Sequence, residues 1–244
     1  MANQAVISAS GGLDSTMVLM KQLSEGKEVK VYAFDYGQKH TVELNKLATN
    51  INYLRNMGYI IGFQVINLRD CFSDSASSLH ESGGEIPKGN YDVENQMSTV
   101  VENRNIIFSS IIYGKALAWA KKSGEHVDIA LGIHAGDHSV YPDTTQASFE
   151  AASYCFKISN WNSDMVEYIA PFVNCNKNEV LAEGIKAMIS MGFTEEDMDE
   201  ILKNTHSCYD PDDKGRSCGV CGTCKERLEA FKSNNLVDPI LYYN

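Results

Sequence analysis

The sequence predicts an α/β fold built on a doubly wound parallel sheet, with a small C-terminal element that carries four cysteines. Three observations predict it. Five short runs rich in Val, Ile and Leu alternate with segments whose apolar residues recur at helical spacing. Helical crossovers between consecutive runs make the strands parallel. Polar and glycine-rich clusters follow several of the runs, at the edge where open parallel sheets bind ligands.

The first run, Ala5-Val6-Ile7, leads into Ala9-Ser10-Gly11-Gly12-Leu13-Asp14-Ser15-Thr16 and a helical pattern that begins near Asp14. Two adjacent glycines allow a sharp turn with positive φ and leave no Cβ to block an anion. The free N–H groups and positive dipole end of the helix, with the hydroxyls of Ser10, Ser15 and Thr16, complete a cradle for phosphate. Neither a GxGxxG nor a GxxxxGKS/T pattern fits. The plain alternative is a tight βα turn capped by Asp14 or Ser15.

Met17, Val18, Leu19 and Leu23 give the first helix its apolar face as far as Gly26, and Val29 to Phe34 is the second strand. Asp35-Tyr36-Gly37-Gln38 then falls at a ligand-binding edge; a turn alone explains Gly37 but not the three polar neighbours together. Val42, Leu44, Leu47, Ile51 and Leu54 predict a second helix, closed by Gly58, and Ile60 to Leu68 a third strand. Residues 69–99 show no sustained period; an irregular stretch of this length is expected to be an active-site loop, with disorder as the alternative.

Glu102-Asn103-Arg104-Asn105 opens a largely buried helix through Trp119. Capping accounts for one asparagine, while Arg104 asks for an acidic partner or a ligand. Val127 to Gly132 is a fourth strand, followed by Ile133-His134-Ala135-Gly136-Asp137-His138 and Tyr141-Pro142-Asp143. That spacing of histidines and aspartates matches no common metal motif, so substrate binding is expected there. A helix over 144–160, a fifth strand from Val166 to Phe172, a capping box Asn176-Lys177-Asn178-Glu179 opening a helix through Met191, and a short acidic helix from Thr194 to Lys203 read as scaffold.

Cys208, Cys218, Cys221 and Cys224 give C-x9-C-x2-C-x2-C, with Gly219 and Gly222 as turn residues. Four thiolates on tight turns fit tetrahedral zinc in a closed, structural set; an iron–sulfur cluster is the competing occupant. Such a site contributes on the order of 10 kcal/mol to folding in small zinc peptides. Cys71, Cys155 and Cys175 lie outside the spacing.

At 244 residues the chain suits one α/β domain, residues 1–204, with a C-terminal zinc-binding element and helix over 205–244. No run of about 18 apolar residues and no signal peptide is found, so a cytoplasmic protein with no membrane contact is expected, its cysteines serving as thiols or metal ligands. A net charge of −11 argues against direct nucleic-acid binding, which draws on a basic patch.

The motif Ser10-Gly11-Gly12-Leu13-Asp14-Ser15 resembles the SGGxDS motif of the PP-loop ATP pyrophosphatases, and so implies an adenine nucleotide alpha hydrolase-like fold that splits ATP into AMP and pyrophosphate. Tyr36-Gly37-Gln38, Arg104-Asn105 with Phe108, Gly136-Asp137-His138, Tyr141-Pro142-Asp143 and Ser207-Cys208-Tyr209 with the three later cysteines resemble, in that order, the 7-cyano-7-deazaguanine synthase family (QueC) over nearly the whole chain.

That resemblance implies an ATP-dependent carbon–nitrogen ligase of queuosine biosynthesis that uses magnesium and ammonia to turn 7-carboxy-7-deazaguanine into the nitrile. It implies ATP binding by Ala9 to Thr16 with Asp35, Tyr36 and Gln38 bordering the nucleotide, and Asp14 near magnesium. It implies Arg104 as a catalytic counter-charge, with Arg104, Asn105, Asp137, Tyr141 and Asp143 at the substrate, and a homodimer. Asp137 and Asp143 suit the guanine-like edge because a carboxylate accepts two hydrogen bonds from an amidine face. Many family members continue after Tyr-Pro-Asp with Cys-Arg, where this chain has Thr144-Thr145. Two other readings stay open: a divergent ligase that joins the deazaguanine carboxylate to another amine, for example on a protein, and a non-catalytic nucleotide-binding zinc protein.

Overall fold

The structure, a computed structural model, describes residues 3–88, 97–134 and 141–243. Its five strands, β1 (Gln4–Ser8), β2 (Glu28–Asp35), β3 (Ile61–Asn67), β4 (Val127–Leu131) and β5 (Val166–Ile169), form one parallel sheet in the order β3-β2-β1-β4-β5. The chain winds outward from β1 through β2 to β3, then returns to lay β4 on the other side of β1. The direction of winding therefore reverses between β1 and β4, where Ser8 pairs with Leu131, and a crevice opens at the carboxyl ends of those strands.

Alternation within the central strands feeds two cores. Ala5 and Ile7 of β1 and Val29, Val31 and Ala33 of β2 pack under α1 (Leu13–Ser24), α2 (Val42–Asn56), α5 (Lys177–Ser190) and α6 (Glu195–Lys203). Val6, Phe34, Val127 and Ile129 face α3 (Arg104–Ser123) and α4 (Gln146–Ser159) on the opposite side. Ala230 and Phe231 of α7 (Gly222–Ser233) join the first core, so the C-terminal helix shares the hydrophobic interior of the sheet domain. The described residues contain no helix long and apolar enough to cross a membrane.

The capping boxes of α5 (Asn176 with Glu179) and α6 (Thr194 with Asp197) form as their sequences direct. Four expectations are corrected. The fifth strand ends at Ile169, because its edge pairing stops there and Pro171 follows. Asn103 stands at the N-cap of α3 in the left-handed region (φ 54°) and its side chain makes no capping bond. Gly222 is the first residue of α7 rather than a turn residue. Finally, no described residue of 69–103 lines the cleft; the loop supports it instead. Phe72, Leu79 and Val101 build a small core with Tyr36, and Glu81 N–H and Lys39 N–H bond Gly37 and Leu79 carbonyls, strapping the loop to the end of β2.

Candidate active site

A cleft of about 410 Å³ opens at the β1/β4 crevice. Ser8 to Ser10 and Gly12 to Ser15 form one wall, and Leu131 to His134 the next. Tyr36, Phe108, Arg104, Asn105, Tyr141 and Tyr209 form an aromatic and polar side, and Asn176 to Asn178 with His206 and Ser207 complete the rim.

The Gly-rich turn takes its shape from what lies behind it. Gly11 has φ 94°, and a Cβ there would stand 2.3 Å from the Glu43 carbonyl oxygen, so only glycine fits. Its own carbonyl accepts the His206 N–H (2.9 Å), and Ser10 Oγ accepts the Gly12 N–H (3.1 Å). No side chain caps α1, so its first N–H groups are left toward the cleft, a ready anion site. Thr16 and Ser15 hydroxyls bond Gly12 O and brace the turn; Thr16 is fully buried and, like Gly11, does not line the cleft.

Asp14 lies at the mouth of the turn. Its Oδ2 accepts from Lys177 Nζ (2.6 Å) and faces His134 Nε2 at 3.6 Å, while its Oδ1 is buried without a partner among the described residues. Burial alone would raise its pKa, but the Lys177 ammonium and the His134 ring outweigh that and hold the carboxyl well below the usual carboxylate range. An ionised oxygen with unfilled acceptor capacity is a suitable ligand for a hard divalent cation.

Asp35 and Gln38 do not line the cleft. Asp35 accepts the Gly37 N–H (3.2 Å) and pairs with Arg69 (3.0 Å). Gln38 takes the Tyr36 N–H and donates to Phe34 O and Glu43 Oε1. Together they hold the turn that presents Tyr36, which is the member of the trio on the cleft wall. A Cβ on Gly37 (φ 82°) would meet His80 Nε2 at 2.5 Å, so that turn also demands glycine.

Arg104 does not find the acidic partner its sequence position suggests: among the described residues it makes no ion pair. Its Nη1 donates to Tyr36 Oη (3.1 Å), its Nε to Asn105 Oδ1 (3.3 Å), and its charge sits 5.5 Å from the Tyr36 ring centre. Phe34 and Phe108 stack at 4.0 Å behind it. Tyr141 lines the cleft and shares a 2.7 Å hydrogen bond with Thr99. Asp143 does not line the cleft, though Thr144 beside it does, and Asp137 lies outside the described residues.

The four cysteines converge. Their sulfurs all lie within 4.8 Å of one another and all four residues are buried. Backbone N–H groups of Asp210 and Cys218 point at Cys208 Sγ, and those of Val220 and Cys221 at Cys218 Sγ. Hydrogen bonds from Cys208 and Cys224 hold the Cys221 thiol far below its ordinary value. Four sulfurs at this separation, supported by N–H donors, suit a tetrahedral metal with no open position. Cys71 and Cys155 are exposed and Cys175 half-buried, all free.

Sequence reasoning missed His40, Glu43, Lys177, His206, Glu226 and Glu229, which the structure brings to the cleft together with Tyr209 of the Ser207-Cys208-Tyr209 motif. Lys177 was legible only as part of a capping box, and the others carry no local motif.

The sequence model of a family described as "Queuosine biosynthesis protein QueC" matches residues 4–235. The chain is 38% identical over 242 residues to "7-cyano-7-deazaguanine synthase 1" of Colwellia psychrerythraea, covering 99% of this chain and 100% of that one. It is 38% identical to a 7-cyano-7-deazaguanine synthase of a Marinomonas species, with 99% of each chain covered, and 34% identical to one of Methanoregula boonei, with 98% and 99% covered. Among solved structures it is similar to a 4-thiouridine synthetase in an RNA complex with bound ATP, at 16% identity and a TM-score of 0.47, over 93% of this chain and 50% of that one.

Proposed function

The chain belongs to the QueC family of queuosine biosynthesis proteins, and from that membership we propose that it is an ATP-dependent ligase converting 7-carboxy-7-deazaguanine and ammonia to 7-cyano-7-deazaguanine. One observation carries the reading: a single cleft joins a phosphate-type turn to an arginine and a set of aromatic walls. A flat heterocyclic acid and the α-phosphate of ATP can meet there.

In this reading the turn from Ala9 to Thr16, with the N-terminus of α1, holds the ATP phosphates. The substrate carboxylate attacks the α-phosphate and pyrophosphate leaves. Ammonia attacks the acyl-adenylate, giving the amide and AMP; a second ATP adenylylates the amide oxygen, and loss of AMP yields the nitrile. Arg104, held by Tyr36 and Asn105, offsets the negative charge that develops at the adenylate. Tyr36 and Phe108 stack the ring system and Tyr141 and Asn105 border it; Asp143, next to the cleft-lining Thr144, and Asp137 are assigned to its guanine-like edge on the family expectation alone. Asp35 and Gln38 act through the turn that carries Tyr36.

Asp14 Oδ1 is the atom to hold magnesium, which would screen the phosphate charge, and Lys177 and His134 keep that carboxylate ionised. Cys208, Cys218, Cys221 and Cys224 would hold zinc as a structural centre. On the family expectation the chain works as a cytoplasmic homodimer on free small molecules, without nucleic acid or membrane.

The test is incubation of the purified chain with ATP, magnesium and 7-carboxy-7-deazaguanine, with and without ammonium, following AMP and product mass. A nitrile that depends on ammonium is expected, and Asp14→Ala should release no AMP while keeping the fold. Absence of AMP from the wild type under every condition would overturn the reading.

A further inference from the structure

Of the cleft-lining carboxyl groups with no part in the steps above, Glu43 is the one behind the Gly-rich turn. Glu43, in the first turn of α2, is 5% exposed, and its backbone carbonyl rests against Gly11 of the phosphate-type turn. Its Oε1 accepts a hydrogen bond from Gln38 Nε2 (3.1 Å) and lies 3.7 Å from His40 Nε2, too far for a hydrogen bond. His40 also lines the cleft, is 5% exposed, and has a buried Nδ1 with no partner among the described residues.

With the His40 proton on Nε2, the nitrogen nearer Glu43, its Nδ1 is an acceptor, as is an ionised Glu43. Glu43 and the unpartnered His40 Nδ1 thus leave two buried acceptors on residues of one cavity wall, which call for a small ligand rich in donors, and an amine is such a ligand. Around Glu43 stand His40 on the approach to α2, Tyr36 at the end of β2 and Arg104 at the start of α3, while His206 and Cys221 face His40, whose ring centre lies 5.6 Å from that of Tyr209. Burial pushes the Glu43 carboxyl up to about 8, against the hydrogen bond from Gln38 and the charge of Arg104. That places its basicity where a general base for an amine is effective.

We propose that Glu43, with His40 beside it, forms the amine subsite and that the Glu43 carboxylate takes the proton of the attacking nitrogen. The assignment rests on the acyl-adenylate reading above. As the C–N bond forms at the acyl carbon, the bond from that carbon to the AMP oxygen breaks and AMP leaves with the electron pair. The surplus proton on nitrogen passes to Glu43, which becomes a neutral acid and later returns it to solvent.

The experiment compares the full-length wild type with Glu43→Gln and Glu43→Asp in the ATP, magnesium and 7-carboxy-7-deazaguanine assay, with rates expressed per free ammonia across neutral to alkaline pH. The wild type is expected to rise through about pH 8. Glu43→Gln is expected to lose on the order of 10²-fold or more in kcat/KM for ammonia and to lose that rise. Hydroxylamine, a much weaker base already uncharged at neutral pH, should lose far less. Glu43→Asp, which keeps a carboxyl, should retain the rise at a lower rate, and thermal melting verifies that both variants fold. A Glu43→Gln enzyme with the wild-type rate or pH profile, equal losses with ammonia and hydroxylamine, or a flat Glu43→Asp profile would each overturn the proposal. A wild type that forms no AMP instead overturns the ligase reading on which it rests.

Discussion

Lys177 Nζ stands 2.6 Å from Asp14 Oδ2, tying the first turn of α5 to the first turn of α1 at the mouth of the cleft. The two residues are 163 positions apart in sequence, and the contact sets the charge state of the carboxylate that faces the phosphate-type turn.

Removing that ammonium in Lys177→Met should raise the Asp14 pKa, measured by carboxyl-carbon NMR titration, and slow AMP formation through a loss of about 1.5–3 kcal/mol of charge-assisted hydrogen bonding. Because the folded pKa lies below the unfolded one, near 3.9, the pair stabilises the wild type above roughly pH 4 and that share is lost as the pH falls below it. Urea unfolding at several acidic pH values should show a smaller acid loss in the variant. An unchanged Asp14 titration would refute the coupling.

Gly11→Ala should be strongly destabilising. The backbone at φ 94° costs a non-glycine residue about 1–3 kcal/mol, and the new methyl group would also collide with the Glu43 carbonyl. Differential scanning calorimetry should show a Tm drop of at least a few degrees, at about 2–4 °C per kcal/mol for a chain of this size. A variant that melts like the wild type would mean that the turn is not held as described.

Loss of the cysteine centre should reach the Gly-rich turn. His206, two residues before Cys208, donates its N–H to Gly11 O, and its Nε2 bonds Cys208 O. Cys221→Ser, or chelation of the wild type, should remove one zinc per chain by elemental analysis and weaken ATP binding by calorimetry. A variant that keeps both zinc and ATP affinity would count against the metal site.

Arg227 is fully buried, with Nε and Nη2 on Asp238, Nη1 on Thr205 Oγ1 and Nη2 also on Leu202 O. Arg227→Met leaves the Asp238 carboxylate buried without its partner and should cost about 3–5 kcal/mol in denaturant unfolding. The double variant Arg227→Met with Asp238→Leu should recover part of that loss. No recovery would mean that the packing of the arginine stem, rather than the ion pair, carries the stability.

Much of this molecule was legible in local pattern. Strand runs and helical spacings placed all five strands and six of the seven main helices to within a few residues, since period and capping are properties of neighbouring positions; the C-terminal helix was expected only somewhere within 205–244. The Gly-rich turn and the four cysteines were legible for the same reason: a tight glycine turn and a cysteine set are each written over a few consecutive residues or at short spacing. Asp35 and Gln38 show the limit. Sequence put them at a ligand-binding edge, and the tertiary structure turns both inward to build the turn that presents Tyr36.

By itself, then, the sequence determined the parallel α/β scaffold, the Gly-rich turn at the end of β1 and the cysteine set, because each rests on periodicity or on groups close along the chain. Tertiary structure alone decided that Lys177 and His134 would flank Asp14, that the Glu43 carbonyl would press on Gly11, and that His206 would link the cysteine element to the same turn. Those contacts join segments brought together only by the order of the strands and the winding of the chain around β1, and no local pattern records which distant side chain a fold will bring to a given atom.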